Sequence, residues 1–154
     1  MQKNTKLYIA YGSNMNIGQM ARRCPTAKVV ASTWLEGYQL RFRGGSYNSV
    51  ATVEPSEDDL VPVLVWEIQP DDENSLDIYE GWPHLYRKET LKIKLGKKTL
   101  PAMIYIMNGE KYPYGHPSQS YFDTIRDGYI SAGFDPKLLH QAVAENMKGE
   151  RLYG

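Results

Sequence analysis

Cysteine is almost missing from these 154 residues: Cys24 stands alone, so no intrachain disulfide can form. That suits a reducing compartment. Histidine is scarce too, and His84, His116 and His140 lie too far apart to give the paired spacing of a metal site. There is no phosphate-cradling P-loop and no Gly-x-Gly-x-x-Gly after a strand. No apolar run approaches the length of a membrane span, and Met1 to Lys6 lacks the hydrophobic stretch of a signal peptide. Charge of either sign is not in excess: 18 basic residues balance 18 acidic ones, and no Lys or Arg run exceeds two. A neutral chain generates no global field to attract nucleic acid or an anionic membrane. These absences predict a cytoplasmic protein with no metal, no cofactor, no nucleic-acid partner and no membrane contact. They assign no oligomeric state.

What is present is a pattern of short alternating segments. The length predicts one domain over 1–154. Leu7 to Tyr11 reads as a strand ended by Gly12-Ser13-Asn14, and Ile17, Met20 and Ala21 make a short helical stripe capped by Asn14 or Asn16. Strand signals follow around Val29-Val30, over Tyr38 to Phe42, over Val50 to Glu54 and over Leu60 to Ile68. An acid-rich start predicts a helix over Asp71 to Tyr79. Leu91 to Leu95 and Ala102 to Met107 form a hairpin about Gly96-Lys97, and two helices close the chain, one ending at Gly133 and one at Gly149. Short turns, with few long crossovers, predict an α+β fold: a curved, largely antiparallel sheet or a small mixed β-barrel, flanked by helices.

Twelve tyrosines against three phenylalanines suit a pocket that is apolar yet orients a polar ligand, although ordinary half-buried strand positions are the reading for most of them. Two local features carry possible chemistry. Tyr11-Gly12-Ser13-Asn14 joins a strand to a helix, where backbone N–H groups can converge on an anion; a tight turn with an Asn cap reads the same way. Ser13 has Tyr11 and Met15 where a nucleophile elbow needs glycines, which argues against a serine hydrolase. Cys24, at a helix end beside Pro25, reads as packing. Glu80 ends a helix, where the dipole opposes it, among Tyr79, Trp82 and Tyr86. It is either a solvated residue before a glycine cap or an acid whose pKa is raised for proton transfer.

Tyr11 to Asn14 after the first strand, Leu76 to Gly81 with Tyr86 following, and Pro117-Ser118 with Tyr121 together resemble the γ-glutamylcyclotransferase family, including its γ-glutamylamine cyclotransferase and AIG2-like members. Gly37-Tyr38-x-Leu40-x-Phe42 and Val65-Trp66-Glu67 are also similar, so the resemblance runs from about Leu7 to Gly133; Met15 departs from the more usual leucine. The resemblance implies a β-barrel with flanking helices and a γ-glutamyl small molecule as substrate. It also implies that Glu80 is the general acid/base and that Tyr8, Ile9, Ala10, Tyr11, Gly12, Ser13 and Tyr121 contact the substrate. The implied reaction closes 5-oxoproline by attack of the substrate's own α-amine and releases an amino acid or amine. Two alternatives remain open: an enzyme of a biosynthetic route acting on a γ-glutamyl amine or carrier-bound intermediate, and a non-catalytic binding module.

Overall fold

The computed structural model describes residues 4–153, the side chains of 149–153 excepted; Met1 to Lys3, part of the N-terminal reading above, lie outside the described residues. Five strands form one mixed sheet: β1 (Lys6–Ala10), β2 (Lys28–Arg43), β3 (Val50–Ile68), β4 (Tyr86–Leu95) and β5 (Lys98–Met107), in the order β2-β3-β1-β5-β4. Only β1 and β5 run parallel; the other neighbours are antiparallel. Among the described residues four helices flank the sheet: α1 (Ile17–Arg23), α2 (Pro70–Glu80), α3 (Gln119–Ala132) and α4 (Lys137–Tyr153).

The sheet is curled but not closed by a ladder. Its edges β2 and β4 meet through side chains: Thr33 Oγ1 donates to the Lys94 carbonyl at 3.1 Å, and Lys94 reaches Glu36 at 3.2 Å. The expected barrel is thus an open sheet with its edges brought together.

Two expected pairs of short strands are two long ones. Gly37, at φ 81°, bulges β2 where the sequence pattern predicts a break. Opposite it the ladder steps from Glu36↔Leu60 to Tyr38↔Pro55, so the polar Ser56 to Asp59 loops out and the flanking apolar segments remain one strand. α4 continues through Gly149 to Tyr153. An interior glycine costs about 1 kcal/mol, which alone does not stop a helix.

β1 is central, and Leu7 to Ala10 are all buried. After it the chain makes a single 3₁₀ turn, Ser13–Met15, and enters α1, whose Asn16 cap accepts from the Gln19 amide at 3.0 Å. α3 presses on this turn. A Cβ on Gly128 would lie 2.8 Å from the Met15 carbonyl carbon, so only glycine permits the approach. Asn16 Nδ2 also donates to the Thr124 carbonyl at 3.0 Å. α2 starts with Pro70 and a reciprocal Gln69/Asp72 capping box, and ends at Gly81 in the left-handed region, φ 64°.

Candidate active site

The turn after β1, the end of α2, the start of β3 and the first turn of α3 surround a pocket of about 260 Å³. Six of the twelve tyrosines line it: Tyr8, Tyr11, Tyr79, Tyr86, Tyr105 and Tyr121. The tyrosine excess therefore divides evenly between pocket and elsewhere. Glu80 is among the lining residues. Burial pushes its carboxyl up to about 7, with the Arg23 guanidinium pulling the other way. A carboxyl at that value takes and returns protons near neutral pH. The fold therefore buries this carboxyl and raises its pKa; it is not a freely solvated side chain.

Of the residues singled out in the sequence, Tyr8, Tyr11, Gly12, Ser13, Tyr121 and Glu80 meet at this pocket. Ile9 and Ala10 do not line it. Strand alternation turns Ile9 to the other face, and the Ala10 methyl is enclosed by its neighbours. Ser13 Oγ shares a hydrogen bond with the Tyr79 hydroxyl, 2.8 Å, and among the described residues neither a histidine nor a lysine lines the pocket beside it. Cys24 is buried against the Asp72 carbonyl, 3.5 Å, and burial pushes its thiol up to about 11, an inert packing group.

The hydroxyls sort by what happens to their hydrogens. Tyr11 donates to the Tyr105 carbonyl at 2.7 Å, Tyr86 to the Ala51 carbonyl at 2.6 Å, and Tyr105 to Asp77 at 2.6 Å. Tyr8 instead accepts from Asn14 Nδ2 at 2.9 Å, and Tyr121 accepts from the Ala51 amide at 3.0 Å. Among the described residues no acceptor takes the hydrogen of either, so both are left to donate into the pocket. Burial holds both phenols above their ordinary value, so they stay protonated. The Ser13 and Asn14 amides add donors without an intrahelical acceptor, whereas the Met15 amide donates to the Gly12 carbonyl at 3.0 Å.

Sequence reasoning missed Arg23 and Tyr105. Neither belongs to a motif, and Tyr105 lies 28 residues from its partner Asp77. No group of three or more His, Cys, Asp or Glu able to hold a metal occurs among the described residues. No described helix is long and apolar enough to cross a membrane.

The chain belongs to the family described as gamma-glutamyl cyclotransferase, AIG2-like, whose model matches residues 8–123. Among solved structures it is similar to a gamma-glutamyl cyclotransferase: 25% identity and TM-score 0.79, over 90% of this chain and 86% of that one. It is equally similar to a human protein described as uncharacterised, at 26% identity and TM-score 0.80, over 91% and 87%. YkqA of Bacillus subtilis, 19% identical with TM-score 0.74 over 94% of this chain and 55% of that one, shares the fold. Among curated proteins none matches significantly.

Proposed function

We propose that this protein releases 5-oxoproline from γ-glutamyl compounds by intramolecular cyclisation, with Glu80 carrying the proton. The observation that carries the reading is the Glu80 carboxyl, pushed up to about 7 inside a pocket lined by two uncommitted tyrosine donors. The substrate's α-amine attacks its own γ-carbonyl and forms the C–N bond of a five-membered lactam. Glu80 takes one proton from the α-ammonium to free the attacking amine and hands it to the departing nitrogen as the original γ-amide bond breaks; the second proton, shed by the lactam nitrogen, is taken up by the released amine. Tyr8, Tyr121 and the Gly12 to Asn14 amides are the donors for the developing oxyanion or for the substrate carboxylate.

The pKa values decide the proton step. A substrate α-ammonium titrates near ~8, so transfer to a carboxylate at about 7 is uphill by about 1.4 kcal/mol. An unperturbed glutamate, near ~4.3, would face about 5 kcal/mol. Joining two ends of one molecule also avoids a bimolecular entropy cost that reaches ~7–11 kcal/mol in well-oriented cases. The single buried Cys24 thiol suits a cytosolic setting for this chemistry.

The test is γ-glutamyl-alanine against its N-acetyl derivative, followed by mass spectrometry. The free amine should yield 5-oxoproline and alanine. The acetylated compound should be inert, because its nitrogen lone pair is delocalised. Cleavage of the acetylated substrate, or release of glutamate, means that water is the nucleophile and the reading is wrong.

A further inference from the structure

Asn14 is 3% exposed, and both ends of its amide are committed. Its Nδ2 donates to the Tyr8 hydroxyl at 2.9 Å and reaches Glu80 Oε1 at 3.5 Å. Its Oδ1 accepts from Arg23 Nη1, and its backbone carbonyl accepts from Trp66 Nε1 at 3.0 Å. A guanidinium only donates, so Arg23 forces Oδ1 outward and the NH₂ toward Tyr8 and Glu80. Arg23 is itself held. Its Nη2 donates to Gln19 at 3.1 Å, and its guanidinium carbon lies 3.4 Å from the centroid of the Tyr79 ring.

We propose that Arg23 is a positioning residue of this site: through Asn14 it directs the Tyr8 hydrogen into the pocket, and it supplies the full positive charge that faces Glu80. This rests on the reading of Glu80 as the proton carrier. Without Arg23 the amide is free to turn over. Oδ1 would then meet the Glu80 carboxylate, and the Tyr8 hydroxyl would donate to Asn14 instead of to a ligand. The groups facing Glu80 are Tyr8 from β1, Tyr11 before the turn, Tyr79 from its own helix, Tyr86 from β4, Tyr121 from α3 and Arg23 from α1. β3 contributes the apolar Val50 and Ala51. Among these described groups no tyrosine can carry positive charge, so no second cation replaces Arg23.

The experiment compares Arg23→Met and Arg23→Gln with wild type. One readout is the ¹³C-NMR titration of the Glu80 carboxyl, which needs no turnover. The other is the pH profile of 5-oxoproline release. In Arg23→Met the Glu80 midpoint should rise by about one pH unit, since an opposite charge is lost. Its kcat should fall about tenfold to a hundredfold even where Glu80 is ionised, with KM changing less. Arg23→Gln restores a donor to Asn14 Oδ1 without the charge. It should recover most of kcat at alkaline pH yet keep the raised midpoint, a split that a merely structural role does not produce. An unmoved midpoint in either variant, or equal kcat loss in both, overturns the proposal. If wild type forms no 5-oxoproline while the midpoint moves, the cyclotransferase reading falls and the action of Arg23 on Glu80 stands.

Discussion

The Tyr105 hydroxyl donates to Asp77 at 2.6 Å, and Asp77 lies one helical turn before Glu80 on α2. The same carboxylate pairs with Lys88 of β4 at 2.8 Å, and Lys88 reaches Glu73 a turn earlier at 2.7 Å. Lys6 of β1 meets Glu73 at 2.8 Å. The helix that delivers Glu80 is therefore tied to β5, β4 and β1 by a row of polar contacts behind the pocket wall. Tyr105→Phe removes one tie and keeps the ring. A hydrogen bond to a charged group contributes about 1.5–3 kcal/mol, and urea unfolding should show a loss in that range. The freed end of α2 should also lower kcat more than it raises KM.

Glu80→Gln should lower kcat by ~10²–10⁴, the usual contribution of acid/base catalysis. The wild-type kcat should rise from acid toward neutral pH with a midpoint at about 7. The same substitution has a stability consequence of opposite sign. Folding raises this acid's pKa, so between ~4.3 and about 7 the native state binds more protons than the unfolded chain. Stability attributable to Glu80 is thus present at low pH and lost as pH rises through that window. The deficit at pH 8 is on the order of 2 kcal/mol for a partly screened group. Glu80→Gln should unfold at higher denaturant than wild type at pH 8 and show no such gain at pH 4.5.

Tyr8→Phe and Tyr86→Phe remove the same atom and should behave differently. The Tyr8 hydrogen has no acceptor among the described residues, so its loss should act on chemistry, by about a hundredfold in kcat if it meets the oxyanion. The Tyr86 hydrogen is committed to the Ala51 carbonyl at 2.6 Å. Its loss should appear as about 1 kcal/mol of stability, with kcat little altered. Steady-state kinetics and urea titration of the pair check both.

Gly12→Ala adds a methyl inside the pocket. The new carbon would sit 3.2 Å from Ala51 Cβ and 3.5 Å from the Tyr121 hydroxyl. The fold should hold, because these contacts are tight without being impossible. Ligand space and the Tyr121 donor would be disturbed, and kcat/KM should fall roughly tenfold or more. An unchanged kcat/KM would remove Gly12 from the ligand surface.

The amino-acid sequence by itself determined the local parts. Asn16 and Ser118 cap helices because their side chains precede apolar stripes, and Gly81 and Gly133 end helices because they tolerate positive φ. The hairpin about Gly96 and the order of motifs from Tyr11 to Tyr121 were likewise legible, and with them the α+β class and the position of Glu80. Only the tertiary structure decided that β2 and β3 are long bulged strands and that the sheet curls without a closing ladder. It also decided that Ile9 and Ala10 stay out of the pocket, that Arg23 reaches Asn14, and which tyrosine hydrogens are left free. The reason is range. Periodicity and capping report neighbours within a few residues, whereas Asn14 meets Glu80 across 66 positions and Tyr11 meets Tyr105 across 94. The pKa of Glu80 is of the same kind, because the burial that raises it comes from β1, β4 and α3 closing around the end of α2.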